Sequence, residues 1–414
     1  MTTTADPQGT PVHRDTGTSA DIDTGTGYEL PPPVSDPVLT EVDRGTPTGE
    51  MLRRYWHPFA LASDAGSTPR EVELLGEKLI LYRDGRGRVG LLHARCCHRG
   101  TTLYYGRVEH DGIRCCYHGW LFDHEGHTLD MPCEPEGGRH RDRHRQPWYP
   151  VVDYHGMLFT YMGPPGHRPP FPTYDVLDDP PPGHQITPND DNIGLQDRTT
   201  PCNWFQTHEN VMDPFHVFIL HAAFSGNQFV PQMEALPEVS WHFTEFGVKS
   251  HQDRVLDDGR FFHRVTEVLM PNVRIVASPF VDSTGKSDSV AWSVPINRTT
   301  TKIMTLLSRP AGRPLQRALH DGKRWEDLTP AEHQRFPGDY EAQVGQGEIT
   351  IHSHEQLSTT DRGVTMLRRV FRRQVEAVAE GRDPIGPGLG DAEPHYRVRA
   401  GNYIGPRREV IDLG

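Results

Sequence analysis

Residues 95–100 read RCCHRG and residues 114–120 read RCCYHGW. The first stretch offers Cys96-x-His98 and the second Cys115-x2-His118, with sixteen residues between His98 and Cys115. Short apolar runs flank both, so the two motifs are expected on loops at strand ends rather than on one helix face. Thiolates and neutral imidazoles are the donors that hold zinc or iron. Two loops that each present one of each kind therefore predict a metal centre.

Spacing separates the two metals. Structural zinc takes ligand pairs two to four residues apart in the Cys-x-x-Cys sense, which Cys96-x-His98 does not match. A Rieske [2Fe-2S] cluster binds two cysteines at one iron and two histidines at the other, so each loop supplies one of each. Neutral imidazoles in place of two thiolates lift the potential and make the centre a mild one-electron store. The glycines that follow, Gly100 and Gly119, let backbone N–H groups approach the cluster sulfides. Cys97 and Cys116 read as small buried thiols, with a disulfide between them as the alternative.

A chain of 414 residues exceeds one ordinary core and predicts two folded units. The formal net charge of −13 excludes a nucleic-acid partner, which needs a surplus of Lys and Arg on one face. The opening MTTTADPQGT has neither a basic nor an apolar leader region, and no run approaches eighteen apolar residues, so a cytoplasmic protein without a membrane span is expected. Four of the six cysteines crowd into the two loops, which argues against a disulfide framework.

Residues 1–36, rich in Thr, Gly, Asp and Pro, form an expected disordered tail. Residues 37–165 are expected to be a small antiparallel β domain, with EKLILYRDGRGRVGLLHA folding as a hairpin that turns at Asp84–Gly87. GPPGHRPPFP, from Gly163 to Pro172, marks a boundary. Residues 166–414 read as α+β. A helix is expected over Asn203–Phe224, and strands at VSWHFTEF, RVTEVLM, VRIVAS and VAWSVPI. In TTDRGVTMLRRVFRRQVEAVAEG, Thr360 or Asp361 caps a helix, Val364, Leu367, Phe371, Val375 and Val378 make one apolar stripe, Gly381 stops it, and the arginines face solvent.

A small β domain suffices for an electron carrier, and about 250 residues remain. Within them, ENVMDPFHVFILH sets Asn210, Asp213, His216 and His221 in N-x2-D-x2-H-x4-H order. Residues five apart on an α-helix point about 140° apart. Pro214 frees a carbonyl just upstream, so a π-type bulge or broken turn is expected there. Two histidines need one carboxylate to form the facial triad that leaves open positions on ferrous iron. Composition does not choose the acid.

The segment ARCCHRGTTLYYGRVEHDGIRCCYHGWLFD resembles the cluster-binding segment of Rieske non-haem iron oxygenases, the alpha subunits that hydroxylate aromatic rings. The likeness runs from about Tyr55 to Pro384 and is closest to the phthalate-dioxygenase-like branch. It implies an N-terminal antiparallel β Rieske domain, then an α+β catalytic domain whose central antiparallel sheet is flanked by helices. Cys96, His98, Cys115 and His118 would hold the cluster, and His216 and His221 a mononuclear Fe(II). RFPGDYEAQVGQG resembles the segment that supplies the acid, which matches Asp339, with Glu341 and Asp361 as fallbacks. Asp213 would bridge a cluster histidine, His118, to His216, and Asn210 would stand near the iron without ligating it.

The resemblance further implies O2 as co-substrate, electrons from NAD(P)H through a reductase or ferredoxin, and a homotrimer. The reaction would be hydroxylation, dihydroxylation or oxidative demethylation of an aromatic or related small molecule. A Rieske electron carrier would need the first site alone, and a zinc hydrolase or zinc-stabilised module neither iron. GGRHRDRHRQPW, residues 137–148, is either a solvated loop or a dock for an acidic ferredoxin or reductase. Substrate contacts are expected from Phe218–Phe224 and from strands between Val239 and Ile296.

Overall fold

In the computed structural model, residues 25–192, 198–225, 229–278, 284–315, 317, 319–320 and 322–405 are described. The expected tail lies outside them as far as residue 24. Its last part, Pro31–Asp36, hydrogen-bonds with residues 350–354.

Three small antiparallel sheets build the region around the cysteine loops. Glu77–Arg83 and Val89–His93 pair across the expected turn, with Arg70–Leu74 alongside. Asp84 Oδ1 accepts the N–H groups of Arg86 (3.0 Å) and Arg88 (2.9 Å). Gly87 sits at φ 82°, a left-handed conformation that glycine adopts without steric cost. Arg107–Val108, Ile113–Arg114, Leu121–Phe122 and Thr128–Asp130 make the second sheet. Trp56–Leu61, Met157–Tyr161 and Val151–Tyr154 make the third. Ile80, Tyr82, Leu92, Ile113, Trp120 and Phe122 close a small core that also buries Cys96 and Cys115.

The rest is α+β around a nine-stranded antiparallel sheet. In order across it run His184–Asn189, Thr300–Pro310, Ser289–Asn297, Val273–Val276, Phe261–Leu269, Gly247–Val255 and Glu238–Phe243. Gly401–Gly405 pairs with Phe261–Leu269 and with Gly285–Lys286. The four strands expected from sequence all lie here. Side chains alternate faces along a strand, so Val248, Ser250, Gln252 and Arg254 share one side, as do Arg264, Thr266 and Val268 next to them. At one end of this face Val248 opposes Val268 in the main apolar core. Toward the other end the face is polar, because there it lines a cavity. The main core also takes in the N-terminal strands, with Phe159 against Trp292 at 5.1 Å.

Arg362–Ala379 is the long helix, with Asp361 at its N-cap position but without a side-chain capping hydrogen bond, and left at Gly381 with φ 80°. Val364, Leu367, Phe371 and Val375 are buried, and Phe371 meets Phe205 (5.0 Å) and Trp204 (5.5 Å). One arginine departs from the solvent-facing expectation. Arg368 is 6% exposed and clamps Glu209 and Glu355, because the elements that carry those acids fold over it. At Gly363 a Cβ would lie 2.3 Å from Met212 O and 2.2 Å from Trp241 Nε1, so the helix approaches the site segment more closely than any side chain would permit.

Asn203–Phe224 is not one helix. It runs as an α-helix Trp204–Glu209, a 3-10 turn Asn210–Met212, a break at Asp213 (φ −105°, ψ 94°), a short α-helix Phe215–Phe218 and a π-turn Ile219–Phe224. Pro214 causes the break, because proline lacks an N–H and pushes the preceding residue out of the helical region. Among the described residues no helix is long and apolar enough to cross a membrane.

Candidate active site

The two cysteine loops are copies in their hydrogen bonding. Cys96 N–H donates to Thr101 O (2.8 Å) and Gly100 N–H to Cys96 O (2.9 Å). Cys115 N–H donates to Trp120 O (2.8 Å) and Gly119 N–H to Cys115 O (3.1 Å). Both glycines sit at φ 75°, the left-handed turn that closes each loop. Cys96 and Cys115 are each 3% exposed, and their thiols lie beside one another. The neighbouring Cys96 thiol, together with burial, pushes the Cys115 thiol well above its ordinary range. The rings of His98 and His118 meet edge to face at 4.5 Å, and His98 stacks on Trp120 at 4.5 Å.

Thiol thus faces thiol and ring faces ring. A single tetrahedral ion would draw all four donors to one point. Among the described residues no three of these four converge in that way. A two-iron cluster takes each pair at its own iron, and the donor set fits it. Cys97 and Cys116 are exposed, against the expectation of buried thiols. Each follows a buried cysteine on a turn, and Cys97 N–H donates to Gln146 Oε1 (2.7 Å).

The second motif brings its residues together. One donor atom each from His216, His221 and Asp339 lie within 4.8 Å of one another. Asp339 Oδ1 is 3.3 Å from His221 Nε2 and 3.5 Å from His216 Nε2. The π-turn carrying His221 lets residues five apart share a side, and the two rings stand 5.5 Å apart. Burial opposes ionisation of Asp339, yet the charges of His221, His216 and Arg274 outweigh it and hold the carboxyl well below the usual carboxylate range. Two imidazoles and one carboxylate aimed at one point form a set that can hold a divalent ion with open positions.

Asn210 Nδ2 donates to Asp339 Oδ1 (3.1 Å), beside the set rather than in it. Asp213 Oδ2 lies 3.5 Å from His216 Nδ1, on the ring edge that faces away from Asp339. The fallback acids have other work. Glu341 accepts from Gly338 N–H (2.7 Å) and Trp325 Nε1 (3.0 Å). Asp361 accepts from Ser358 N–H (2.7 Å) at the start of the long helix.

A cavity of about 140 Å³ adjoins the set. Val211, Val217, Phe229 and Met233 make an apolar wall, and Gln252, Arg264, Thr266 and Arg274 a polar floor. Of the expected stretch Phe218–Phe224 only His221 reaches it, and Phe224 is 72% exposed. Thr305 and Leu307 line it from a strand beyond the expected range.

Sequence reasoning missed the two arginines. Arg264, 5% exposed, donates to Asn402 Oδ1 (2.8 Å) and Ala277 O (2.7 Å). Arg274 makes one long contact, to Thr207 O (3.5 Å). Among the described residues neither is ion-paired. Burial lowers Arg264 to about 9, so it stays charged at neutral pH. Arg274 alternates with buried Val273 and Ile275 and so lies on the opposite face of its strand, and nothing in that local pattern signals that this face lines a cavity.

Residues 55–163 match the family model of the Rieske [2Fe-2S] domain. Phenoxybenzoate dioxygenase subunit alpha of Ectopseudomonas oleovorans is 44% identical over 386 residues, which span 92% of this chain and 94% of that one. The chain belongs to the Rieske non-haem iron oxygenases. The oxygenase subunit of tert-butanol monooxygenase / tert-amyl alcohol desaturase of Aquincola tertiaricarbonis is 33% identical over 407 residues, 87% of this chain and 78% of that one. The crystal structure of dicamba monooxygenase bound to dicamba shares the fold at a TM-score of 0.56 and 17% identity, covering 80% of this chain and 99% of that one. This Rieske oxygenase is accordingly an oxidoreductase with a Rieske cluster and a mononuclear iron, which uses dioxygen and reductase-delivered electrons. The carrier and zinc readings are set aside.

Proposed function

We propose that this Rieske oxygenase oxidises an aromatic acid. Cys96, His98, Cys115 and His118 hold the cluster, and His216, His221 and Asp339 the mononuclear iron. The relatives' names divide between a benzoate and an alcohol, so the substrate class is argued from the cavity. The observation that carries it is Arg274, a part-buried guanidinium on the cavity floor that feels the charge of Asp339 but, among the described residues, is ion-paired to no acid and makes one 3.5 Å contact. Burying a charge is costly unless it is paired, and a planar guanidinium matches a carboxylate in a two-pronged bond. Arg264 adds a second positive charge, and the wall of Val211, Val217, Phe229 and Met233 takes the ring.

When bound, the iron supplies open positions for dioxygen and the cluster supplies single electrons. The chain's own residues do the rest. Asp213 Oδ2, 3.5 Å from His216 Nδ1, favours by its charge the tautomer whose Nε2 lone pair faces Asp339. Asn210 holds the Asp339 carboxylate in orientation. Asp213 would also bridge His216 by hydrogen bonding to the cluster histidine His118 of a neighbouring copy in a head-to-tail homotrimer, and an NAD(P)H-dependent reductase or ferredoxin would feed that cluster. The working units are residues 37–165 and 166–414, in the cytoplasm.

Calorimetric titration of the anaerobic holoenzyme with benzoate and benzamide tests the substrate class. Arg274→Met is expected to weaken benzoate about 10- to 100-fold, the worth of a charge-assisted bond of about 1.5–3 kcal/mol, and to erase the preference for the anion. Equal benzoate affinity in both proteins overturns the reading.

A further inference from the structure

We propose that the basic segment Arg139–Arg145, with Arg95 and Arg99 beside it, docks an acidic iron-sulfur electron donor directly against the cluster loops. The inference rests on the assignment of Cys96, His98, Cys115 and His118 to the cluster, and adds where electrons enter.

Three observations carry it. The first is unneutralised charge. Arg141 and Arg143 are exposed and, among the described residues, form no ion pair, although Asp142 lies between them. Arg95 and Arg99 are exposed on the first cluster loop, and Arg99 lies over the Tyr117 ring at 5.5 Å. Arg145 covers Trp148 at 5.3 Å, and only Arg139 is neutralised, by Glu136. Such a concentration of guanidinium groups runs against a chain whose net charge is −13.

The second is a tether. Gln146, fully buried, accepts Cys97 N–H (2.7 Å) through Oε1 and donates through Nε2 to His93 O (2.8 Å) and Arg95 O (2.9 Å). A loop with solvation as its sole role has no need of three bonds to the backbone around the ligands. The third is ring contact. His144 lies 5.1 Å from Trp120, and Trp120 stacks on His98 at 4.5 Å. A donor seated on this face is therefore separated from a cluster histidine by packed rings and not by open water.

In each encounter one electron passes from the reduced donor to the oxidised cluster. The donor is oxidised by one, the cluster reduced by one, and no bond is made or broken. Clustered charge of one sign draws an oppositely charged protein at rates that fall steeply with ionic strength.

The test uses a strongly acidic plant-type [2Fe-2S] ferredoxin, pre-reduced, and follows cluster reduction by stopped-flow absorbance from low to high salt. Binding of the same oxidised ferredoxin is measured in parallel by calorimetry. The double variant Arg141→Glu/Arg143→Glu is expected to lose at least about tenfold in both the low-salt rate constant and affinity, and to flatten the salt dependence. Arg141→Lys/Arg143→Lys keeps both and decides the matter should the reversed variant fold poorly. An unchanged rate and slope in the reversed variant, or a Lys pair as slow as the Glu pair, overturns the proposal. So does a change in sedimented mass on charge reversal, which would make the face a contact between copies of this chain. A wild type without the Rieske spectrum defeats the cluster assignment itself, separately from the docking face.

Discussion

Arg368→Met should destabilise the fold by a predictable and pH-dependent amount. In the native protein Arg368 Nε and Nη2 hold both oxygens of Glu209 at 2.7 and 2.8 Å, and Nη1 and Nη2 hold Glu355 at 2.6 and 2.8 Å. The side chains of Arg368, Glu209 and Glu355 are 7%, 11% and 21% exposed. Removing the cation leaves two carboxylates facing each other, one of them deeply buried. Losing one partner of such a group costs about 3–5 kcal/mol. Glu209 can escape part of this by taking up a proton, since burial already raises its pKa. From an unfolded value near 4.5, holding that proton at pH 7 costs about 3.4 kcal/mol, which sets the ceiling.

The sign follows from the same scheme. In the variant the folded pKa of Glu209 lies above the unfolded one, so the unfolded state releases the proton first and stability falls as pH rises. The deficit should shrink as pH is lowered from 7 toward 5, by at most about 1.4 kcal/mol per pH unit. Chemical denaturation of wild type and variant at pH 5.5 and 7.0, followed by tryptophan fluorescence, measures it. A deficit under about 1 kcal/mol at pH 7, or one that grows on acidification, refutes the reasoning.

Acid sensitivity should also arise at His57, which is fully buried, donates Nε2–H to Leu52 O (2.7 Å), and is lowered by burial to about 4. Its neutral form stabilises the fold fully above pH 6.5, and this contribution is lost as pH falls toward 4, about 3 kcal/mol in all. His57→Gln should flatten the fall in denaturation midpoint over that window, and an unchanged profile counts against it. Asp213→Ala should keep both metals while electron transfer from the pre-reduced cluster to the iron site slows about 10- to 100-fold. Rapid-freeze spectroscopy with metal analysis reads both, and a normal rate refutes the bridge.

The cluster loops were legible because their ligands lie close in sequence and their spacing excludes the commoner metal. The hairpin at Asp84–Gly87 and the long helix were legible for a similar reason, since turn residues and apolar periodicity are local signals. Pro214 announced a break near Asp213, but not that the segment would divide into α, 3-10 and π turns. Asp339 stands 118 residues from His221, and only a resemblance singled it out. Arg368 was misread as solvent-facing because Glu209, 159 residues away, decides its environment. Arg264 and Arg274 were missed because strand alternation tells which residues share a face, not whether that face packs a core or lines a cavity.

Iron and acid-labile sulfide counted per chain, alongside electron paramagnetic resonance of the reduced protein, test the two-centre assignment most directly. Wild type should hold two irons and two sulfides in the cluster plus one mononuclear iron, with the rhombic signal of a histidine-ligated cluster. Asp339→Ala should lose one iron and keep that signal, while Cys115→Ser should lose the signal. Zinc in either site, or an Asp339→Ala variant that retains its full iron content, contradicts the assignment.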